Sequence, residues 1–133
     1  MDLLARARDK LREARLDAYP VLFSEASRLG VYVPMIVGVT SIKVRGIPRW
    51  GMYEPELGRI LVNLGKIREA LAFGWSQSSI KQAVVETIFH EFYHHYQFTR
   101  KGLTIEEYLR NPEPYEAEAE NYARTILATR FGR

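Results

Sequence analysis

The chain has 133 residues, a formal net charge of +3, 47% hydrophobic and 26% charged side chains, which suits one domain over residues 1–133 and excludes a disordered, collagen-like or low-complexity polymer. No stretch approaches the ~20 apolar residues of a membrane helix, since the most apolar run, Val31 to Val39, is broken by Pro34 and Gly38. There is no cysteine, so disulfides, thiolate nucleophiles, cysteine zinc fingers and iron–sulfur clusters are excluded together, and any metal must use His and carboxylate.

Met1 to Arg8 carries no apolar export signal, and the expectation is a cytoplasmic protein without a membrane partner. The first thirty residues read as helix. Leu4, Ala7, Leu11, Ala14 and Ala18 recur at helical spacing, Pro20 suits the first turn of a second helix, and Gly30 is a stop signal. From Val31 the composition turns β-branched and aromatic, with strands expected over Ile36–Arg45, Trp50–Tyr53 and Arg59–Asn63. The last two should form a hairpin around Glu54 to Gly58. A helix is expected over Lys66–Phe73, and Ser79 with Gln82 reads as a capping box opening a longer helix that runs to Phe98 or Arg100. Thr104 and Glu107 cap a short helix, and Asn111 to Pro114 starts a final one ending near Gly132. The fold class read from this order is α+β.

Charge is unevenly spread. Residues 31–68 hold six Lys/Arg against two Glu, and residues 101–120 hold two against six. Lys43, Arg45 and Arg49 beside Trp50 have the composition of a small nucleic-acid patch, but Ile42 to Arg45 alternates apolar and charged residues, which a solvated strand face explains more simply.

All three histidines lie in His90-Glu91-Phe92-Tyr93-His94-His95. On a helix, His90 and His94 stand one turn apart, about 6 Å along the axis and about 40° around it, so both imidazoles reach one tetrahedral Zn²⁺. Glu91, about 100° from His90, falls beside that metal, where a base must stand to take a proton from an activated water. Val84, Val85, Ile88, Phe89 and Phe92 form the opposite, core-facing side, while Ala83, Thr87 and Gln97 lie near the ligands. His95 falls on the core side and reads as a packed or hydrogen-bonded residue.

A catalytic zinc takes three protein ligands and keeps a position open, and with no further His or Cys the third must be an acid. On the last helix Glu116 borders a face made of Tyr115, Ala119, Tyr122, Ala123, Ile126 and Leu127, which lets it approach a neighbouring helix. Glu116 is therefore the expected third ligand. Glu120, one turn on, is the expected acceptor for a ligand imidazole N–H. Glu118, about 160° from Glu116 around the axis, points elsewhere.

His90-Glu91-x-x-His94 followed by Glu116-x-x-Ala119-Glu120-x-x-Ala123 resembles the gluzincin class of zinc metallopeptidases, in which a glutamate on a later helix completes the site and an acid four residues on supports it. Gly51 to Pro55 and Gly58 to Asn63 are similar to the hairpin preceding the motif in small members. The order of elements is most like that of the minimal soluble gluzincins, or minigluzincins; SprT-like and repressor-cleaving regulatory peptidases are more distant. The resemblance implies a zincin-like domain, one catalytic Zn²⁺, peptide hydrolysis, and an edge strand that aligns a peptide or protein substrate in extended conformation. The chain departs from that pattern in having Glu120 where many relatives have Asp, and in having no spare site-facing histidine for the oxyanion. Tyr53, Tyr108, Tyr115 and Arg124 remain for that task, and Arg124 also stands at i, i+4 from Glu120.

The sequence thus reads as a compact metallopeptidase, latent or narrow in substrate range given so little chain for a cleft. The alternative is a zinc-stabilised regulatory or interaction domain without turnover, contacting nucleic acid through Lys43, Arg45 and Arg49.

Overall fold

The computed structural model describes residues 2–133. It is α+β, with helices α1 (Leu3–Leu29), α2 (Leu64–Ala72), α3 (Gln77–Thr99), α4 (Ile105–Arg110) and α5 (Glu113–Arg130), and strands β1 (Met35–Val39), β2 (Lys43–Val44), β3 (Ile47–Pro48), β4 (Gly51–Glu54) and β5 (Arg59–Asn63). Among the described residues no helix is long and apolar enough to cross a membrane.

One helix occupies the N-terminal segment where a break at Pro20 was expected, and Pro20 lies inside it. A proline in a helix interior costs about 3 kcal/mol through its lost N–H and ring clash. Here the apolar stripe continues past it without a change of phase: Ala7, Leu11, Ala14, Ala18, Leu22 and Ala26 are all buried. Burial of that stripe along α2 and α3 outweighs the local penalty. The helix ends where expected, at Gly30, in the left-handed conformation with φ 73°.

The main sheet has the order β1-β5-β4, with β1 parallel and β4 antiparallel to β5. The β4–β5 hairpin is the one expected. The strand expected over 36–45 is interrupted after Val39, because its partner ends there: Val39 lies opposite Asn63, and Asn63 caps α2. The chain resumes as β2, which pairs with β3 around Arg45 and Gly46 at φ 53° and 77°, the positive pair that a tight type I′ turn requires. Asn63 holds this corner, accepting from the Gly65 N–H at 2.9 Å and donating to the Arg49 carbonyl at 2.8 Å.

The cap of α3 lies three residues before the expected Ser79. Ser76 Oγ accepts from the Ser79 N–H at 3.1 Å, because α2 stops at Ala72 and the short connector leaves Gln77 already helical. The Thr104–Glu107 capping box of α4 is formed as read, and α5 starts after Pro112. Helix α3 is the axis of the molecule, packed on α1 and α5 and crossed by β4 and β5. A buried ionic knot joins α1 to α5: Glu25, only 4% exposed, accepts from Arg28 Nη2 at 2.7 Å and from the Tyr122 hydroxyl at 2.8 Å.

Candidate metal centre

His90 and His94 stand one turn apart on α3 with ring centroids 5.0 Å apart, and Glu116 reaches them from the first turn of α5. Its two oxygens divide between the rings: Oε1 lies 2.8 Å from His90 Nε2 and Oε2 lies 3.0 Å from His94 Nε2. One ligand atom from each residue falls within 4.8 Å of the others. A carboxylate in the first helical turn is also favoured by the helix dipole, so Glu116 is held at the mouth of the group even without an ion.

Two observations test whether a metal fits. His94 Nε2 is buried and has no hydrogen-bond partner, since its 3.0 Å approach to Glu116 is an ion-pair distance without hydrogen-bond alignment. A buried polar atom left in that state is costly unless something binds its lone pair. The other nitrogen of the same ring, Nδ1, lies 2.7 Å from Gln97 Oε1; an amide oxygen only accepts, so Nδ1 carries a hydrogen, and the neutral ring has its lone pair on Nε2. Two imidazoles and one carboxylate form a donor set suited to a borderline divalent metal with a coordination position left open. The residues fit.

Charge at the site is strongly organised. Burial alone would raise the Glu116 pKa, but attraction from His90, His94 and the Tyr108 hydroxyl, which donates to Glu116, outweighs it and holds the acid far below its ordinary range. Burial opposes the charged form of His94, and the surrounding Glu116 and Glu91 carboxylates reverse that and raise its pKa. Glu91 is 8% exposed. Burial raises its pKa, countered in part by His94, His90 and the backbone N–H of Tyr53. A buried carboxylate of raised basicity stands beside the metal-binding group without belonging to it.

Strand β4 passes directly over this part of α3. A Cβ built on Gly51 would lie 2.4 Å from Thr87 Cγ2 and 3.4 Å from Glu91 Cγ, so only glycine permits the crossing. β4 is an edge strand, paired with β5 alone. The Asn63 N–H donates to the Trp50 carbonyl at 2.8 Å, so by the alternation of an antiparallel ladder Trp50 and Met52 face β5, while the main-chain groups of Gly51 and Tyr53 face outward. His95, fully buried, fixes the strand's height: its Nε2–H donates to the Tyr32 carbonyl at 3.0 Å, and its Nδ1 accepts from the Tyr53 hydroxyl at 2.8 Å. This is the packed role expected of His95.

Other expectations change. Glu120 touches neither histidine; it is exposed and pairs with Arg124 at 2.5 Å, while Gln97 faces the His94 Nδ1. Glu118, expected to point elsewhere, accepts from Gln97 Nε2 at 2.9 Å and from Lys101 at 3.3 Å. Gln97 is the participant that spacing underrated: it was placed near the ligands, and its i+3 position after His94 was the available signal. Tyr108 enters from α4, and Tyr115 contributes its carbonyl, at 3.1 Å from Gln97 Nε2.

Lys43, Arg45 and Arg49 are exposed and form no ion pair among the described residues. Val44, between the first two, is exposed as well, so the β2–β3 ribbon is solvated on both faces and not only on its charged one.

No family model, no curated protein sequence and no solved structure matches the chain.

Proposed function

We propose that the protein is a zinc-dependent peptidase of the gluzincin kind, with a zincin-like domain most like that of the minigluzincins, acting on a peptide or protein segment bound in extended conformation. One observation carries the reading: the Glu91 carboxylate is buried beside His90, His94 and Glu116, outside the group they form, under the free edge of β4. A metal that only stabilises a fold has no use for such an acid.

Zinc held by His90, His94 and Glu116 would supply Lewis acidity toward a peptide carbonyl and a water. The chain does the rest. The outward main-chain groups of Gly51 and the outward carbonyl of Tyr53 take an extended segment as an added strand, the Tyr53 N–H being engaged by Glu91. Glu91, its pKa raised by burial, accepts a proton from the attacking water and delivers it to the departing amine, so that one C–N bond is exchanged for a carboxylate and an amine. Tyr108, by donating to Glu116, keeps that carboxylate turned toward the histidines.

The rival is a zinc-stabilised regulatory domain touching nucleic acid through Lys43, Arg45 and Arg49, favoured by the exposure of those three side chains. Metal analysis of the purified protein together with cleavage of an unstructured protein separates the two. Stoichiometric zinc with chelator-sensitive cleavage supports the peptidase. Zinc without cleavage supports the rival, and absence of metal affinity overturns both.

A further inference from the structure

We infer that Gln97 is the positioning residue that sets the tautomer and aim of His94, and that Glu118 sets the amide orientation of Gln97. The inference rests on the metal-site reading only for its consequence, not for its geometry. Gln97 is 1% exposed and His94 5%, so water does not compete for either group. The amide nitrogen of Gln97 faces two groups that can only accept, the Tyr115 carbonyl at 3.1 Å and the Glu118 carboxylate at 2.9 Å. Turning the amide over would set its oxygen against both of those oxygens and its NH₂ against the imidazole. The orientation is therefore fixed by the network: Oε1 faces His94 Nδ1 at 2.7 Å and demands a hydrogen there. In the neutral ring that a bound cation requires, the one hydrogen is then on Nδ1, and Nε2, 3.0 Å from Glu116 and grouped with His90, is the atom left for the cation.

Glu118 is suited to this task because it is itself held. Its second oxygen lies 3.3 Å from the Lys101 ammonium, which offsets the charge that α5 would otherwise bring toward Glu116. Helix α5 thereby acts on the centre twice. Glu116 reaches it directly, and Tyr115 with Glu118 reach it through Gln97.

The test uses the full chain. Gln97→Met keeps length and burial but removes the acceptor. Glu118→Ala removes one of the two acceptors that oppose amide reversal, the Tyr115 carbonyl remaining, and Glu118→Gln keeps an oxygen in its place. In metal-free protein, at a pH high enough to leave the ring neutral, the ring ¹⁵N shifts of His94 should report the Nδ1–H tautomer in the parent and in Glu118→Gln, and a mixture in Gln97→Met and Glu118→Ala. Zinc affinity, measured by competition with a chromophoric chelator, should fall about 10–100-fold in Gln97→Met, fall less in Glu118→Ala, and return in Glu118→Gln. A merely structural role would leave the tautomer unmoved and would not be rescued by the amide. Should Gln97→Met fail to fold, the exposed Glu118 pair decides alone. A parental tautomer and parental affinity in the variants overturn the inference. A parent that takes up no zinc while the tautomers shift as stated overturns the metal reading and leaves the inference standing.

Discussion

Gly51 and Thr87 are in such close register that a single methyl group on the glycine would come within 2.4 Å of the threonine's own methyl. Real carbon atoms do not approach so closely, so the spacing of β4 above α3 depends on the absence of that methyl. Gly51→Ala should push the strand off the helix, lowering thermal stability by about 1–3 kcal/mol and reducing peptide cleavage far more than zinc binding, because His90, His94 and Glu116 do not move with it. Comparison of kcat/KM, zinc stoichiometry and Tm checks this. Undiminished kcat/KM in Gly51→Ala would show that the strand edge does not hold substrate.

Glu91→Gln isolates the proton transfer. The amide preserves shape and burial but cannot accept a proton, so zinc content and Tm should stay near parental while hydrolysis falls at least 10²-fold. Cleavage at the parental rate by the Gln variant would remove Glu91 from the mechanism.

The two acids a turn apart on α5 should behave differently. Glu116→Ala deletes a carboxylate lying between both imidazoles and should weaken zinc binding by orders of magnitude. Glu120→Ala breaks only an exposed pair with Arg124, worth about 0.3–0.5 kcal/mol, and should leave zinc binding unchanged. Parental protein should gain thermal stability with rising free zinc and Glu116→Ala should not; thermal shifts in a zinc series measure both at once.

Glu25 offers a pH test remote from the metal. Hydrogen bonding from Arg28 is the chief cause of its depressed pKa; burial opposes it, and Tyr122, the Arg28 charge and Arg130 add to the depression. A group with a folded pKa below its unfolded value stabilises the fold at neutral pH and loses that contribution as acid carries the solution down through the folded pKa. Glu25→Gln should cost about 1–3 kcal/mol at pH 7, with the gap to the parent closing as the pH falls below the ordinary carboxylate range. Urea unfolding at several pH values measures it, and a gap that stays constant down to strong acid refutes the ionic account.

What the sequence made legible was whatever is set by neighbours a few residues apart. His90, Glu91 and His94 are related by one helical turn, Thr104 and Glu107 by a capping reach, and β4 and β5 by a short hairpin, so spacing alone placed them. Glu116 was within reach because an acid bordering an alanine-rich face has one direction in which to approach a neighbour. The errors share the opposite character. Whether Pro20 ends a helix depends on how much apolar surface continues beyond it, and where a strand stops depends on its partner, as Val39 does on Asn63. A helical wheel gives angles about one axis but not how two axes cross. That is why Glu120, in line with Glu116, faces solvent, while Glu118 meets the far end of α3 through Gln97.

His94 and His95 are consecutive and about 100° apart around the helix, so one meets the ligand cluster and the other Tyr53 on the edge strand. The separation between the His90, His94 and Glu116 cluster and β4 is thus gauged by one peptide unit of a buried helix, not by a loop. Such a ruler is set within α3, and the β2–β3 ribbon supplies no side chain to it.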